Sequence, residues 1–230
     1  MTKSTGQKRR VSQVADYSTR RTMMVDTQVR PSDVTKFPII EAMLHVPREL
    51  YVPAARREIA YLGGNIDLGN GRVMLDPRTL AKMLDALDIQ RSDVVLDLGC
   101  GLGYSTAVIA RLADFVVAVD DDELRADRAQ TNLSDNGVDN AAVISGPLAA
   151  GAAKSGPYDA IILQGAVERL PDALLAQLKD GGQIAAIFAE GALGVVRIGH
   201  KTNGQVNWRF AFNASAPVLP DFGAEKAFVL

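Results

Sequence analysis

The stretch VVLDLGCGLGYSTAVIA, residues 94–110, carries an apolar strand into a turn with glycines at 99, 101 and 103, and then into a helix. Glycine admits positive φ and lacks the Cβ that bars a ligand from the backbone, while the first helical turn offers N–H groups without intrahelical partners. Such a turn either cradles a ligand or simply joins strand to helix tightly, and its neighbours decide between the two. A dinucleotide fingerprint needs its third glycine at 104; Tyr104 stands there and Gly103 precedes it, which disfavours a pyrophosphate. The next apolar run ends in VAVDDD, residues 117–122. Asp120 therefore falls about 20 residues past the loop at a strand's C-terminal edge, where a carboxylate can accept both hydroxyls of a ribose. Alone, Asp120 to Asp122 would also suit a solvated turn and helix cap; beside the glycines they point to a nucleoside.

Outward from this turn, Val94 to Leu98, Phe115 to Val119, Ala141 to Ser145, Ala160 to Leu163 and Gln183 to Phe188 are short, continuously apolar runs. Strands of that kind are buried on both faces, so an α/β fold with a largely parallel sheet is expected. Leu193 to Lys201 and Val206 to Asn213 flank Asn203-Gly204, a strong hairpin signal, so the sheet should finish antiparallel. About seven strands are expected, with helices on both faces and an N-terminal helical lobe over the strands' C-terminal edge. Asp76-Pro77 reads as the N-cap and first residue of a helix whose apolar stripe is Leu80, Met83, Leu84 and Leu87. Residues 17–29 and 33–46 read as helices punctuated by Pro31 and Pro47, and Gly63 to Gly71 as a loop or short hairpin. Three regions follow: a polar, basic, disordered lead over residues 1–14, a helical lobe with its loop over 15–75, and a ligand-binding domain over 76–230. Trp208 and Phe210 read as core rather than as a substrate platform.

Among 230 residues, 25 Lys and Arg face 27 Asp and Glu, so neither nucleic acid nor an anionic membrane has an overall electrostatic claim on the chain. No apolar run approaches the ~18 residues of a membrane span, and the basic start is not followed by a signal-peptide core. A soluble cytoplasmic protein is expected. Two His and one Cys make a metal site or a thiol nucleophile hard to assemble, so His45 and His200 read as surface or packing residues and no metal is expected. Cys100, among glycines, reads as a small side chain in a crowded turn.

In this order, the glycine turn and the acidic end of the second strand resemble S-adenosylmethionine-dependent methyltransferases, whose first motif is D-x-G-x-G-x-G. The resemblance implies a Rossmann-like methyltransferase fold. It further implies that Asp97 and the loop of Gly99, Cys100, Gly101 and Gly103 surround the methionyl part of the cofactor, with Asp120 on the ribose and Gly146, Pro147 and Leu148 passing the adenine. Asp121 and Gln164 fall in the same implied site. Tyr104 reads either as a lining residue or as helix packing. A cationic sulfonium needs no phosphate cradle, which suits a loop without Lys or Arg.

RRTMMVDTQVRPSDVTKFPIIEAMLHVPRELYVP, then GNG, a proline-led helix and PYDAIILQGAVERLPDALLAQLKDGGQIA, narrow the resemblance to the protein-L-isoaspartate O-methyltransferase family. That implies methyl transfer to a carboxylate of isoaspartyl residues in damaged peptides or proteins, releasing S-adenosylhomocysteine. The substrate loop departs from the family's G-x-G-Q-T-I-S-x-P, reading GNGRVMLDP at 69–77. Val73 replaces a threonine and Leu75 the serine linked to substrate and catalysis, so no catalytic side chain is assigned. The substrate lip is then Arg72, Val73, Met74 and Leu75. Arg72 suits either recognition of an acidic acceptor or a solvated loop charge. The family's G-D-G is altered to Gly146-Pro147-Leu148 as well. Three alternatives remain: another acceptor, such as a small-molecule carboxylate; a non-catalytic module that senses the cofactor or its demethylated product; and, more distantly, an NAD-binding protein.

Overall fold

The computed structural model describes residues 17–191 and 193–224; the lead over residues 1–14 lies outside them. Its centre is β3 (Val94–Leu98), flanked in parallel by β4 (Phe115–Asp120) and β6 (Tyr158–Val167). The full sheet runs β5 (Ala141–Ser145), β4, β3, β6, β7 (Leu178–Glu190), β8 (Leu193–Thr202), β9 (Gln205–Asn213). The first five of these strands are parallel, and β8 and β9 close the sheet antiparallel. The apolar runs are continuous because successive side chains serve opposite layers. Val95, Val116, Ile162 and Ala185 pack under the N-terminal lobe and its helices, whereas Leu96, Val117, Ile161 and Ile184 join Leu174, Leu178 and Phe222 on the other face.

Strands β6 and β7 outrun their predicted spans. Register shifts between Tyr158 and Ala160 and between Ile162 and Ala166 insert unpaired residues, so pairing resumes beyond each interruption and brings Gln164 into β6. Phe210 corrects its predicted core role: it stands 62% exposed on β9, the edge strand of the sheet among the described residues. Trp208 is partly buried, its ring edge-on to Phe188 at 5.0 Å.

Residues 17–24 form α1, which widens into a π-turn at Val25–Val29 and tightens to a 3-10 turn at Arg30–Ser32. Pro31 explains the change, since it lacks an N–H and its ring crowds the carbonyl four residues back. α2 (Phe37–His45) starts later than predicted, because Asp33 is left-handed at φ 64° and Lys36 is extended. α3 (Pro77–Leu87) matches its reading: Asp76 accepts the Thr79 N–H at 2.9 Å, Pro77 opens the first turn, and Leu80, Met83, Leu84 and Leu87 are buried. α4 (Tyr104–Ala110) begins at Gly103, α5 (Glu123–Asp135) is capped by Asp122, and α6 (Asp172–Leu175) is a single turn. The glycine-rich stretch after Gly63 resolves into a hairpin, β1 (Ile66–Gly69) and β2 (Arg72–Met74), whose turn residues Asn70 and Gly71 both have positive φ. That is the type I′ geometry favoured by Asn-Gly. Among the described residues, no helix is long and apolar enough to cross a membrane.

Candidate active site

Parallel pairing aligns the C-terminal ends of β3, β4 and β6 on one edge of the sheet, and the charged groups lie there. Asp97 is wholly buried. Its Oδ2 accepts hydrogen bonds from Ser105 Oγ and Thr106 Oγ1, each at 2.7 Å, and its Oδ1 accepts one from Gln164 Nε2 at 2.7 Å. Burial lifts the Asp97 carboxyl above its ordinary value, and the three donors pull against that shift. The carboxylate thereby ties β3, the start of α4 and β6 together around the glycine turn. Gly99, Gly101 and Gly103 all take positive φ, between 61° and 96°, a region costly to any residue with a Cβ.

Asp120 ends β4. It accepts the Gly101 N–H at 2.9 Å, the Arg125 Nε–H at 2.6 Å and a longer contact from Arg72 Nη2 at 3.5 Å. Asp121 beside it accepts Arg72 Nη1 at 2.6 Å and Arg125 Nη2 at 3.1 Å. Burial raises the Asp120 carboxyl, while Arg72 and then Arg125 draw it back down. The backbone carbonyl of Asp120 accepts the Gly146 N–H at 2.9 Å, which brings the altered third-strand motif alongside. Leu148 buries its side chain in the core, so Gly146 and the exposed Pro147 are the parts of that motif left at the edge. Cys100 is buried against Ala118 and Ala129, and burial pushes its thiol well above the usual range, in keeping with a packing role. The Tyr104 ring meets Tyr51 edge-on at 6.1 Å, and the residue borders the small cavity beside the glycine turn.

The lip bears the main correction. Arg72 is 1% exposed, so the reading of a solvated loop charge fails; its guanidinium points inward to the two aspartates rather than outward. Leu75 is buried, and its carbonyl accepts Arg48 Nη2 at 2.7 Å. Val73 and Met74 face the same space. Sequence reasoning missed Ser105, Thr106, Arg125, Arg48 and Leu68. The hydroxyl pair directly after the glycine turn and an arginine five residues past Asp120 were the available signals for three of these.

The residue types fit an S-adenosyl ligand: a backbone cradle without Cβ atoms, a carboxylate at the second strand's end, and no cation within the loop. In this conformation the cradle is filled from within the protein. A Cβ at Gly99 would collide with Arg72 Nη2, and one at Gly101 would lie 2.6 Å from Leu68 Cδ1. A cavity of about 10 Å³ remains between Leu68, Met74, Leu75, Gly99 and Tyr104, room for about one water.

The sequence model of the protein-L-isoaspartate(D-aspartate) O-methyltransferase family matches residues 20–212. A protein-L-isoaspartate O-methyltransferase of Syntrophus aciditrophicus is 35% identical over 168 residues, covering 73% of this chain and 77% of that one. Its counterpart in Herpetosiphon aurantiacus is 32% identical over 208 residues, 90% of this chain and 92% of its own. Among solved structures, a protein-L-isoaspartate O-methyltransferase shares the fold with a TM-score of 0.77 at 21% identity, over 88% of this chain and 67% of that one. A Plasmodium falciparum beta-aspartate methyltransferase, solved in complex with S-adenosyl-L-homocysteine, gives 0.75 at 19% identity, over 86% and 97%. On the family match and these sequence relatives, the chain belongs to the protein-L-isoaspartate O-methyltransferase family.

Proposed function

We propose that this protein transfers a methyl group from S-adenosylmethionine to a carboxylate oxygen of isoaspartyl residues in damaged peptides and proteins, in the cytoplasm. The observation that carries the reading is the shared edge on which buried Asp97 and Asp120 flank three positive-φ glycines. The cofactor, when bound, supplies an electrophilic methyl on a sulfonium and leaves as S-adenosylhomocysteine. Asp120 would accept the ribose hydroxyls, and Gly146 and Pro147, beside it through the Gly146 N–H to its carbonyl, would border the adenine. Asp97 fixes the glycine turn through Ser105, Thr106 and Gln164, so that the cradle is preorganised. An acceptor carboxylate with a pKa near ~4 is already ionised at neutral pH, so no general base is required of the chain. The lip of Arg72, Val73, Met74 and Leu75 borders the acceptor, and its apolar members exclude water. In this reading residues 15–75 supply lobe and lip, and the chain from 76 onward supplies the cofactor wall.

A second reading keeps the cofactor and changes the acceptor. Val73 and Leu75 favour it, since they present apolar groups where the family offers hydroxyls, and a small-molecule carboxylate would suit that lip. Labelled methyl transfer to an isoaspartyl peptide, with its aspartyl twin as control and base-labile ester as the readout, separates the two. Transfer to the isoaspartyl peptide alone is expected; a protein that binds cofactor and labels neither peptide would favour the second reading.

A further inference from the structure

We propose that Arg72 is a displaceable plug of the cofactor site, which makes cofactor and acceptor bind in that order. The inference rests on the methyltransferase reading above. A guanidinium at 1% exposure sits on a two-stranded hairpin of three residue pairs, against Gly99 and across Asp120 and Asp121. It occupies the space that the glycine turn keeps free of side chains.

Three features mark this seat as one the side chain can leave. Arg125 already contacts both aspartates, at 2.6 and 3.1 Å, so neither carboxylate is stranded when Arg72 withdraws. Arg72 Nε is buried without a hydrogen-bond partner, a penalty that withdrawal removes. Arg72 apart, the described hydrogen bonds and ion pairs that tie the hairpin to the body lie below its tip: Arg56 reaches Asp67 at 3.6 Å, and the others are near the base. There Asn65 Oδ1 accepts the Asp76 N–H at 2.9 Å, Asn65 Nδ2 donates to the Ser215 carbonyl at 2.8 Å, and Arg48 holds the Leu75 carbonyl at 2.7 Å. The Asn70-Gly71 tip can therefore swing while residues 75 and 76 stay in place.

Ligand and plug cannot share the site. A Cβ at Gly99 has no room beside the guanidinium, and a sulfonium with its ammonium would meet a like charge at a buried site. Withdrawal of Arg72 clears its 3.5 Å contact from Asp120 Oδ2, where ribose hydroxyls would bind, and carries the freed cation to the lip formed by Val73 to Leu75. There it offers the planar fork that binds a carboxylate in two places. The acceptor's anchor thus exists only after the cofactor is in.

Titration calorimetry with S-adenosylhomocysteine on the wild type, Arg72→Gln and Arg72→Lys tests the plug, with thermal melts confirming that each is folded. A site closed in nine molecules of ten weakens apparent affinity about tenfold, so Arg72→Gln should bind about tenfold tighter or more. Arg72→Lys should fall between, because an ammonium cannot bridge two carboxylates through parallel N–H groups, and it serves alone if the glutamine variant does not fold. Equal or weaker binding by the folded variant overturns the plug while leaving the cofactor assignment intact; no binding by any form overturns both. The order is read on the wild type: a fluorescent isoaspartyl peptide should bind only with S-adenosylhomocysteine present. Binding indifferent to the cofactor product overturns that order.

Discussion

A carboxylate buried among neutral donors titrates differently in the folded and unfolded chain, and Asp97 is the clearest case. Burial raises its folded pKa above the unfolded value of about 4, so between the two values the folded state holds the extra proton. Stability from this group is full below the unfolded value and is lost as pH rises through the folded one. Asp97→Asn abolishes the titration. Urea melts should show wild type losing stability relative to the variant as pH climbs from about 4 toward neutral; a pH-independent difference would contradict the shift. At this scale the sequence was legible where chemistry and spacing coincide, as with Asp97, Asp120 and the glycines. It was not legible for Arg72, because a hairpin arginine is ordinarily solvated and only the tertiary position of β1 and β2 turns it inward. Ser105 and Thr106 gave only a faint signal, since small hydroxyl residues at a helix start resemble ordinary capping.

The strand–turn–helix unit depends on left-handed backbone as well as on the Asp97 hydrogen bonds. Gly103 opens α4 at φ 96°, and a Cβ there would also lie 3.4 Å from the Ala129 carbonyl oxygen of α5. Gly103→Ala should cost about 1–2 kcal/mol in chemical denaturation and weaken S-adenosylhomocysteine binding, because the helix start shifts. Unchanged stability would mean that the turn tolerates β-carbons. Most elements could be read from period and punctuation: α3 from its cap, proline and stripe, the late hairpin from Asn203-Gly204, β3 to β5 from their apolar runs. The lengths of β6 and β7 could not, since bulges let pairing continue past residues that break the apolar pattern.

Across the whole molecule, the chain after β9 returns to the sheet edge that holds the site. Ala166 donates to the Pro217 carbonyl at 2.8 Å, the Leu219 N–H returns to Ala166 at 2.8 Å, and Leu219 packs against Gly165 and Gly99. Phe222 is fully buried in the cluster beneath. Phe222→Ala should destabilise the protein by about 3–5 kcal/mol in a denaturant melt, against less than about 1 if the tail were incidental. No periodicity announces such a segment, because it is neither helix nor strand and acquires its place only from the finished sheet. Co-crystallisation with S-adenosylhomocysteine is the decisive measurement. Ribose hydroxyls on Asp120, the methionyl part along Gly99 to Gly103, and the Arg72 guanidinium withdrawn to the lip are expected. A ligand seated elsewhere, or crystals grown at saturating ligand with Arg72 still between Gly99 and Asp120, would contradict this arrangement.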